Sequence, residues 1–283
     1  MGRGAVPPVD AALAYRVEAP DVAYAGARLE AIAAMPGNPH GARTVRAGSA
    51  VALCAPGMRS SMFQRLCLAD DELLPHLDTA LQALAAPGMP WRVDVVPPLP
   101  CTRLVAALGA RGFRCTGFYS GLYGLPVTVR RERRFPGRVR PLGPGELDVW
   151  IDVYRRGFGF QPQLGELMAH SLRGLPPHAQ AELLVAELDG GRIAAMAALW
   201  VEARTGYLAV AATLPEARGR GCHAALLDAR IARAAELGCE LVVAHAAVGS
   251  ASQHNMEHAG LRLAFHKAIW LRPPSRPTGE SPA

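Results

Sequence analysis

The sequence predicts an α/β (α+β) protein organised as two similar units in tandem, on three observations. Its 283 residues, half of them hydrophobic and 19% charged, suit two modest domains with cores of their own. The stretch from Tyr207 to Arg233 passes from a short apolar strand pattern through a tight basic turn into a helical pattern. Finally, Leu108-Gly109-Ala110-Arg111-Gly112-Phe113-Arg114, running on to Pro126, parallels Glu257-His258-Ala259-Gly260-Leu261-Arg262, running on to Pro273. Each copy is a helix, a glycine turn, a bulky apolar residue, an arginine and a strand with aromatics, which reads as a duplicated unit.

The first unit is expected over residues 1–126. Up to about Tyr15 the chain is punctuated by proline and glycine and reads as a loose lead-in. Asp21 is placed to cap a helix over 22–35, closed by Pro36-Gly37. Thr44 to Ala55 offers two short strands around Gly48. Asp70-Asp71-Glu72 opens a helix whose apolar side is Leu73, Leu74, Leu77, Leu81 and Leu84, ended by Pro87-Gly88. Trp91 to Val95 alternates as a half-buried strand. A short helix from Leu104 to Ala110 then leads into the aromatic strand around Phe118 to Tyr123. Residues 127–137, rich in arginine and proline, are the expected linker.

The second unit is expected over residues 138–273. Val139-Arg140 is a first strand, and Pro144 fits a first helical position ahead of Leu147, Trp150, Ile151 and Tyr154. Gly157 to Pro162 breaks that helix, and it resumes from Leu164 to Leu172. Ala181 to Leu188, then Asp189-Gly190-Gly191, then Arg192 to Val201 carries a strong hairpin signal. Tyr207 to Thr213 is the next strand, and Cys222 opens a helix that Gly238 stops. A strand over Glu240–Ala246, a helix over Ala251–Ala259 and a strand over Leu261–Leu271 complete the unit. The tail over 274–283 is Pro/Ser-rich and expected to be disordered.

The turn between Thr213 and Cys222 carries the chemistry. Pro215 cannot donate to a strand ladder, and Arg218-Gly219-Arg220-Gly221 gives a backbone that can approach a ligand closely. Free N–H groups at a helix start, beside guanidinium charge, make an anion site suited to a phosphate or pyrophosphate. Arg218-x-x-Gly221-x-His223, set after a strand and opening a helix, resembles the acyl-CoA pyrophosphate motif of the GNAT (N-acetyltransferase) superfamily, (Gln/Arg)-x-x-Gly-x-(Gly/Ala). Thr213-Leu214-Pro215 matches the Val-x-Pro-like approach to that motif, and His223 departs from it at the last position. A dinucleotide-binding turn does not fit, because the Gly-x-Gly-x-x-Gly spacing and the acidic residue that follows it are missing.

The resemblance implies a mixed, mostly antiparallel central sheet flanked by helices, and transfer of acetyl from acetyl-CoA, as co-substrate, directly to an amine of a small molecule or peptide. It also implies roles. The main chain at Ala211, Ala212 and Thr213 would run along the pantetheine, and Arg218, Gly219, Arg220, Gly221, Cys222 and His223 would hold the pyrophosphate, with Asn255 touching the cofactor. No such turn occurs in the first unit, which therefore resembles a degenerate half that kept the packing and lost the cofactor site. Aligned on Gly260, the family's frequent Asn and Tyr positions hold Gly249 and Met256, so the tyrosine that often reprotonates the thiolate is missing; solvent, His254 or His258 is left for that task. For a general base the candidates are His245 and Glu202, each at the end of a strand. Phe158, Phe160 and Trp200 are candidates to line the acceptor pocket. Two rivals stay open: transfer of a longer acyl group, and a non-catalytic acyl-CoA-binding regulatory or interaction module.

The bulk properties exclude several classes. The net charge of +6 rests on arginine, with Lys267 the only lysine, and no basic-aromatic interleaving accompanies it, so no nucleic-acid partner is expected. Six scattered cysteines without a Cys-x-x-Cys give neither a metal site nor a disulfide frame. The start lacks a secretory apolar core and no apolar run approaches about 18 residues, so a cytoplasmic protein without membrane attachment, monomer or homodimer, is expected.

Overall fold

The computed structural model describes residues 7–86, 88–126, 135–175 and 179–273. The start of the chain, most of the expected linker (127–134) and the expected tail (274–283) lie outside the described residues.

The chain opens with a 23-residue helix, α1 (Ala11–Ala33), where a loose lead-in was expected. Asp10 caps it, accepting the Leu13 N–H at 2.8 Å. Asp21, the expected cap, sits in mid-helix directly after Pro20. A proline there removes one helical hydrogen bond and costs about 3 kcal/mol. The buried stripe Leu13, Val17, Leu29 and Ile32 outweighs it, since each buried aliphatic contributes about 1.5–3 kcal/mol. Tertiary burial, not local propensity, therefore extends the helix through the proline.

Strands β1 (Arg43–Ala47) and β2 (Ala50–Cys54) form the expected hairpin. Every residue of β2 is buried, because its two faces feed different cores. Val51 and Leu53 face the large core shared with α1, whereas Ala50, Ala52 and Cys54 face a smaller one. Strand β3 (Gln64–Cys67) was not foreseen; Gln64 and Arg65 give it no apolar pattern. The helix expected from Asp70 is a 3-10 turn (Asp71–His76) followed by a short α2 (Leu77–Ala83), divided by Pro75. Strand β4 (Trp91–Val95), α3 (Thr102–Ala110) and β5 (Arg114–Gly124) follow.

Then come β6 (Arg138–Pro141), α4 (Leu147–Phe158) and α5 (Pro162–Arg173). Helix α4 begins at Leu147 rather than at Pro144, so the proline lies in the approach. The hairpin is β7 (Ala181–Leu188) and β8 (Arg192–Glu202). The remaining elements are β9 (Thr205–Tyr207), β10 (Ala211–Thr213), α6 (Cys222–Glu236), β11 (Leu241–Ala247), α7 (Ala251–His258) and β12 (Arg262–Arg272).

All twelve strands among the described residues belong to one mixed, mostly antiparallel sheet in the order β1-β2-β3-β4-β12-β5-β11-β9-β8-β7-β6, with β10 added to β8. Its centre is an exchange. Strand β12 leaves the C-terminal strands to lie between β4 and β5, while β5 lies between β12 and β11. The two segments matched in the sequence are thus antiparallel neighbours, with Arg114 opposite Leu271 and Tyr123 opposite Arg262. Their turns are built alike. Gly112 and Gly260 have φ of 78° and 99°, and the following residues, Phe113 and Leu261, each donate to a carbonyl five residues back at 3.1 Å. No helix among the described residues is long and apolar enough to cross a membrane.

Candidate functional site

The site is organised by a parting of strands. Strand β9 pairs with β8 on one side and, in parallel, with β11 on the other. Leu208 N–H still reaches the Val243 carbonyl at 2.8 Å, but beyond it β10 pairs with β8 alone among the described strands. The single strand expected over Tyr207–Thr213 is therefore two, broken at 208–210. Arg230 of α6 explains where the break is held. Its buried guanidinium donates to the carbonyls of Ala198 and Ala209 at 3.1 and 3.2 Å, turning the latter away from any strand partner. Burial lowers its pKa to about 10. The edge of β10 that faces β11 is left open, and a wedge separates the two strands.

The basic turn closes one end of this wedge. After a 3-10 turn (Pro215–Ala217), Gly219 and Gly221 take φ of 75° and 84°, a left-handed geometry that disfavours any side chain. Gly221 is the N-cap of α6 and offers no side chain, so the first N–H groups of the helix are left to point at whatever lies beyond. Arg218 crosses the turn and donates to the Gly157 carbonyl at 2.9 Å, tying α4 to it. A Cβ at Gly157 would stand 2.7 Å from the Ala212 Cβ, so glycine is what lets α4 lie against β10. His223 sits in the first turn of α6, with its Nδ1 3.3 Å from the Asn255 Nδ2. Burial, followed by the charge of Arg230, lowers its pKa to about 4. The ring is thus neutral and accepts from the Asn255 amide.

The wedge opens into a cavity of about 1020 Å³. One wall is β10, the turn and the start of α6, including Ala211, Ala212, Thr213, Arg218, Gly219, Gly221, Cys222 and His223, with Asn255 also in the lining. Arg220 is the one residue of the expected cradle that does not line it. The other wall comes from α1, the loop before β3, β4, α4 and the turn after α4: Tyr24, Arg28, Met62, Arg92, Tyr154, Phe158 and Phe160. Three of the four aromatics of that wall contact one another, with Phe158 stacked on Phe160 at 5.4 Å and both rings within 5.3 Å of Tyr154.

Between the walls lies a buried ionic cluster. Lys267 on β12 sits 2.7 Å from Glu18 and 3.7 Å from both Asp21 and Asp94. Arg65 bonds Asp21 and Asp94 at 2.9 Å each, and Arg92 reaches Asp94 at 2.7 Å. Three cations thus balance three carboxylates. His245 joins this cluster: its Nε2 lies 3.0 Å from the Glu18 Oε2, and its ring lies edge-on to Tyr207, whose hydroxyl donates to Asp21 at 2.8 Å. Burial alone would raise Glu18, but Lys267 and then His245 outweigh it and hold its carboxyl below the usual range. Asp94 is held at about 2 against its own burial by Lys267, Arg92 and Arg65.

His245 therefore faces the cavity, and Glu202 does not. Glu202 lies at the far end of β8, outside the cavity lining, where it accepts the Trp200 indole N–H at 3.0 Å. The two side chains are two residues apart on one strand and so share a face. Trp200 is core, packed edge-on against Tyr24, rather than pocket wall. His254 and His258 bond along α7, with His258 Nδ1 2.8 Å from the His254 carbonyl oxygen, and neither lines the cavity. Sequence reasoning missed Glu18, Tyr24, Arg28, Arg65 and Arg92, which come from elements remote in the chain, and Arg230, which lies on α6 itself. Lys267 alone carried a signal, as the single lysine in an arginine-rich sequence.

In the N-terminal half the 3-10 turn that follows β3 starts with the opposite chemistry. Asp70 accepts the Glu72 N–H at 3.0 Å, and Asp71 accepts the Leu104 N–H at 2.8 Å. Asp70 thus caps this end while Asp71 serves α3, and the charge of the two carboxylates repels a phosphate.

The acetyltransferase (GNAT) family model matches residues 150–260, the segment that holds the wedge and the turn. Solved structures share the fold over most of the chain. A GCN5-related N-acetyltransferase from Sphaerobacter thermophilus superposes with a TM-score of 0.62 at 14% identity, covering 80% of this chain and 76% of that one. Another, from Kribbella flavida, gives 0.58 at 19% identity, over 87% and 95%. A tandem GNAT protein from the clavulanic acid biosynthesis pathway gives 0.54 at 12% identity, over 76% of each chain. No curated protein matches the chain. Residues 150–260 form a domain of the acetyltransferase (GNAT) family, carried in a chain with the GNAT fold.

Proposed function

We propose that the protein transfers an acetyl group from acetyl-CoA directly to an amine of a small molecule or peptide. The observation that carries this reading is the open edge of β10 beside the uncapped N-terminus of α6. An extended pantetheine can add to that edge as a strand does, through the main chain of Ala211 to Thr213. Backbone N–H groups from Gly219 to His223, with Arg218, suit a pyrophosphate. Neutral His223 and Asn255 add polar contacts beside it without competing charge.

Acetyl-CoA supplies a thioester: the amine nitrogen bonds to its carbonyl carbon, the C–S bond breaks, and the sulfur leaves as the thiol. The chain supplies positioning and proton acceptance. His245 is the proposed base, because it lines the cavity and its Nε2 lies 3.0 Å from the Glu18 carboxylate. Glu202 has no part in this reading. We further assign residues 1–126 to a degenerate GNAT-like unit and 138–273 to the working one. The matching turns of β5 and β12, and the self-capped acidic helix start at Asp70, support that division.

Incubating the protein with acetyl-CoA and a panel of amines, with free thiol as the readout, tests the proposal. Amine-dependent thiol release is expected. Tight acetyl-CoA binding with no release on any amine would instead assign a non-catalytic acyl-CoA-binding module.

A further inference from the structure

Arg28 is a buried charge on the acceptor side of the cavity, across from the arginines of the turn and α6. Its side chain lies in the middle of the molecule, with only 2% of the residue exposed, and it forms part of the cavity wall. Unlike Arg65, Arg92 and Lys267, it has no carboxylate partner among the described residues. Its Nε and Nη2 donate to the Ser171 hydroxyl at 3.1 and 2.8 Å, and that hydroxyl spends its own hydrogen on the Met168 carbonyl at 2.7 Å. Nη2 also meets the Tyr154 hydroxyl at 3.5 Å and the Met168 sulfur at 3.6 Å. Among the described residues Nη1 has the Met62 sulfur, at 3.6 Å, as its one hydrogen-bond partner. The rings of Tyr24, Phe63 and Tyr154 surround the guanidinium at 5.3–5.8 Å.

The guanidinium is oriented, and its partners are neutral. Ring faces and one hydroxyl offset less of a buried guanidinium's lost hydration than a carboxylate does. Ser171 and the rings fix the plane of the fork, and Nη1 is left to a thioether, a weak acceptor on a flexible side chain at the cavity rim. An incoming carboxylate displaces that sulfur at little cost. The aromatics next to the fork, Tyr24, Tyr154, Phe158 and Phe160, line the same cavity and offer an apolar berth. His245 lines it as well.

We propose that the acceptor is an amine that also bears a carboxylate on an apolar or aromatic body, and that Arg28 binds that carboxylate. The proposal rests on the acetyl-transfer reading for the amine, but not for the anion. The acceptor lies with its carboxylate on the fork, its body against the aromatic wall and its amine toward His245. The site thus selects amino-acid-like acceptors over simple amines.

Two measurements test it, and the first needs no turnover. 3-Phenylpropanoate and 3-phenylpropanamide, which carry no amine, are titrated calorimetrically into the wild type and Arg28→Met, with and without saturating acetyl-CoA. The carboxylate is expected to bind the wild type about 10- to 100-fold tighter than the amide, the worth of one charge-assisted pairing. That preference should vanish in Arg28→Met. Arg28→Lys keeps the charge without the fork and should retain part of it, which covers the case of a misfolded methionine variant. The second compares L-phenylalanine with L-phenylalaninamide as acceptors, read as kcat/KM for thiol release, and the acid is expected to lead by a similar factor. A wild type that binds neither probe, or binds both equally, overturns the proposal, as does a preference that survives in Arg28→Met. Carboxylate binding without any acetyl-CoA binding in the same cell would overturn the acetyl-transfer reading and leave the anion site standing.

Discussion

Replacing Lys267 by methionine removes the cation at the centre of the buried cluster and keeps the length and most of the volume of the side chain. The residue is 2% exposed, and its ammonium stands 2.7 Å from Glu18 and 3.7 Å from Asp21 and Asp94. Without it, Arg65 and Arg92 remain against three carboxylates, and Glu18 keeps only His245. Breaking a buried ion pair from one side costs about 3–5 kcal/mol, because the stranded charge stays in low dielectric. For a chain of this size that is a fall in Tm of about 10 °C.

The pH dependence fixes the sign. Lys267 is raised above the ordinary lysine value, against its own burial, by Glu18, Asp94 and Asp21, so its contribution is complete at neutral pH and is lost only in strong alkali. The three carboxylates are depressed, so their contribution is present above the ordinary carboxylate range and is lost as pH falls, for Asp94 down to about 2. In Lys267→Met they rise and take up protons earlier. The gap between the two proteins should therefore be widest near pH 7 and narrow toward about pH 4. Differential scanning calorimetry across that range measures it. A variant within about 2 °C of the wild type at pH 7, or a gap independent of pH, would refute the reasoning. Lys267→Arg should also destabilise, because the larger fork does not fit a site closed by three carboxylates and two guanidinium groups.

Other consequences follow from the cavity. His245→Gln keeps a polar group beside Glu18 but cannot take up a proton, so kcat should fall about 10²- to 10⁴-fold with acetyl-CoA affinity kept, as steady-state rates and calorimetry would show; an unchanged kcat would remove His245 from the mechanism. His223 falls from its usual 6.5 to about 4 on folding, so the native protein binds fewer protons there than the unfolded chain. Its contribution is present above pH 6.5 and is lost as pH falls toward 4, by about 3 kcal/mol at ~1.4 kcal/mol per pH unit. Urea unfolding of the wild type and His223→Gln between pH 7 and 4 should show the difference shrinking by about that amount, and parallel curves would contradict it.

The sequence carried what is local. The turn from Arg218 to His223 is legible because its glycines, its arginine and its place between strand and helix lie within a few residues of one another. The repeat from Leu108 and from Glu257 was legible for the same reason, and it forms two matching turns. Exchange of β5 and β12 was not legible, since either strand has the same pattern whichever neighbour it takes. Helix α1 was misread as starting after Pro20, because local rules favour Asp21 as a cap and say nothing of the core that holds Leu13 and Val17. The break at 208–210 depends on Arg230, twenty residues further on, which reads as an ordinary helical arginine until its carbonyl partners are known. Glu202 and His245 are alike as strand-end candidates; what separates them is tertiary, the packing that brings Glu18 and the cavity to His245 and leaves Glu202 outside it.

The central claim is that the turn at Gly221 holds the phosphates of an acyl-CoA. Isothermal titration of acetyl-CoA into the wild type and into Gly221→Asp, with circular dichroism to establish that both are folded, tests it most directly. Gly221 has φ of 84° and caps α6, so aspartate there adds a side chain, strain and a negative charge at the anion site. The account predicts one acetyl-CoA bound per wild-type chain and no measurable binding to the folded variant. Equal affinity of the two proteins, or no binding to the wild type, would contradict it.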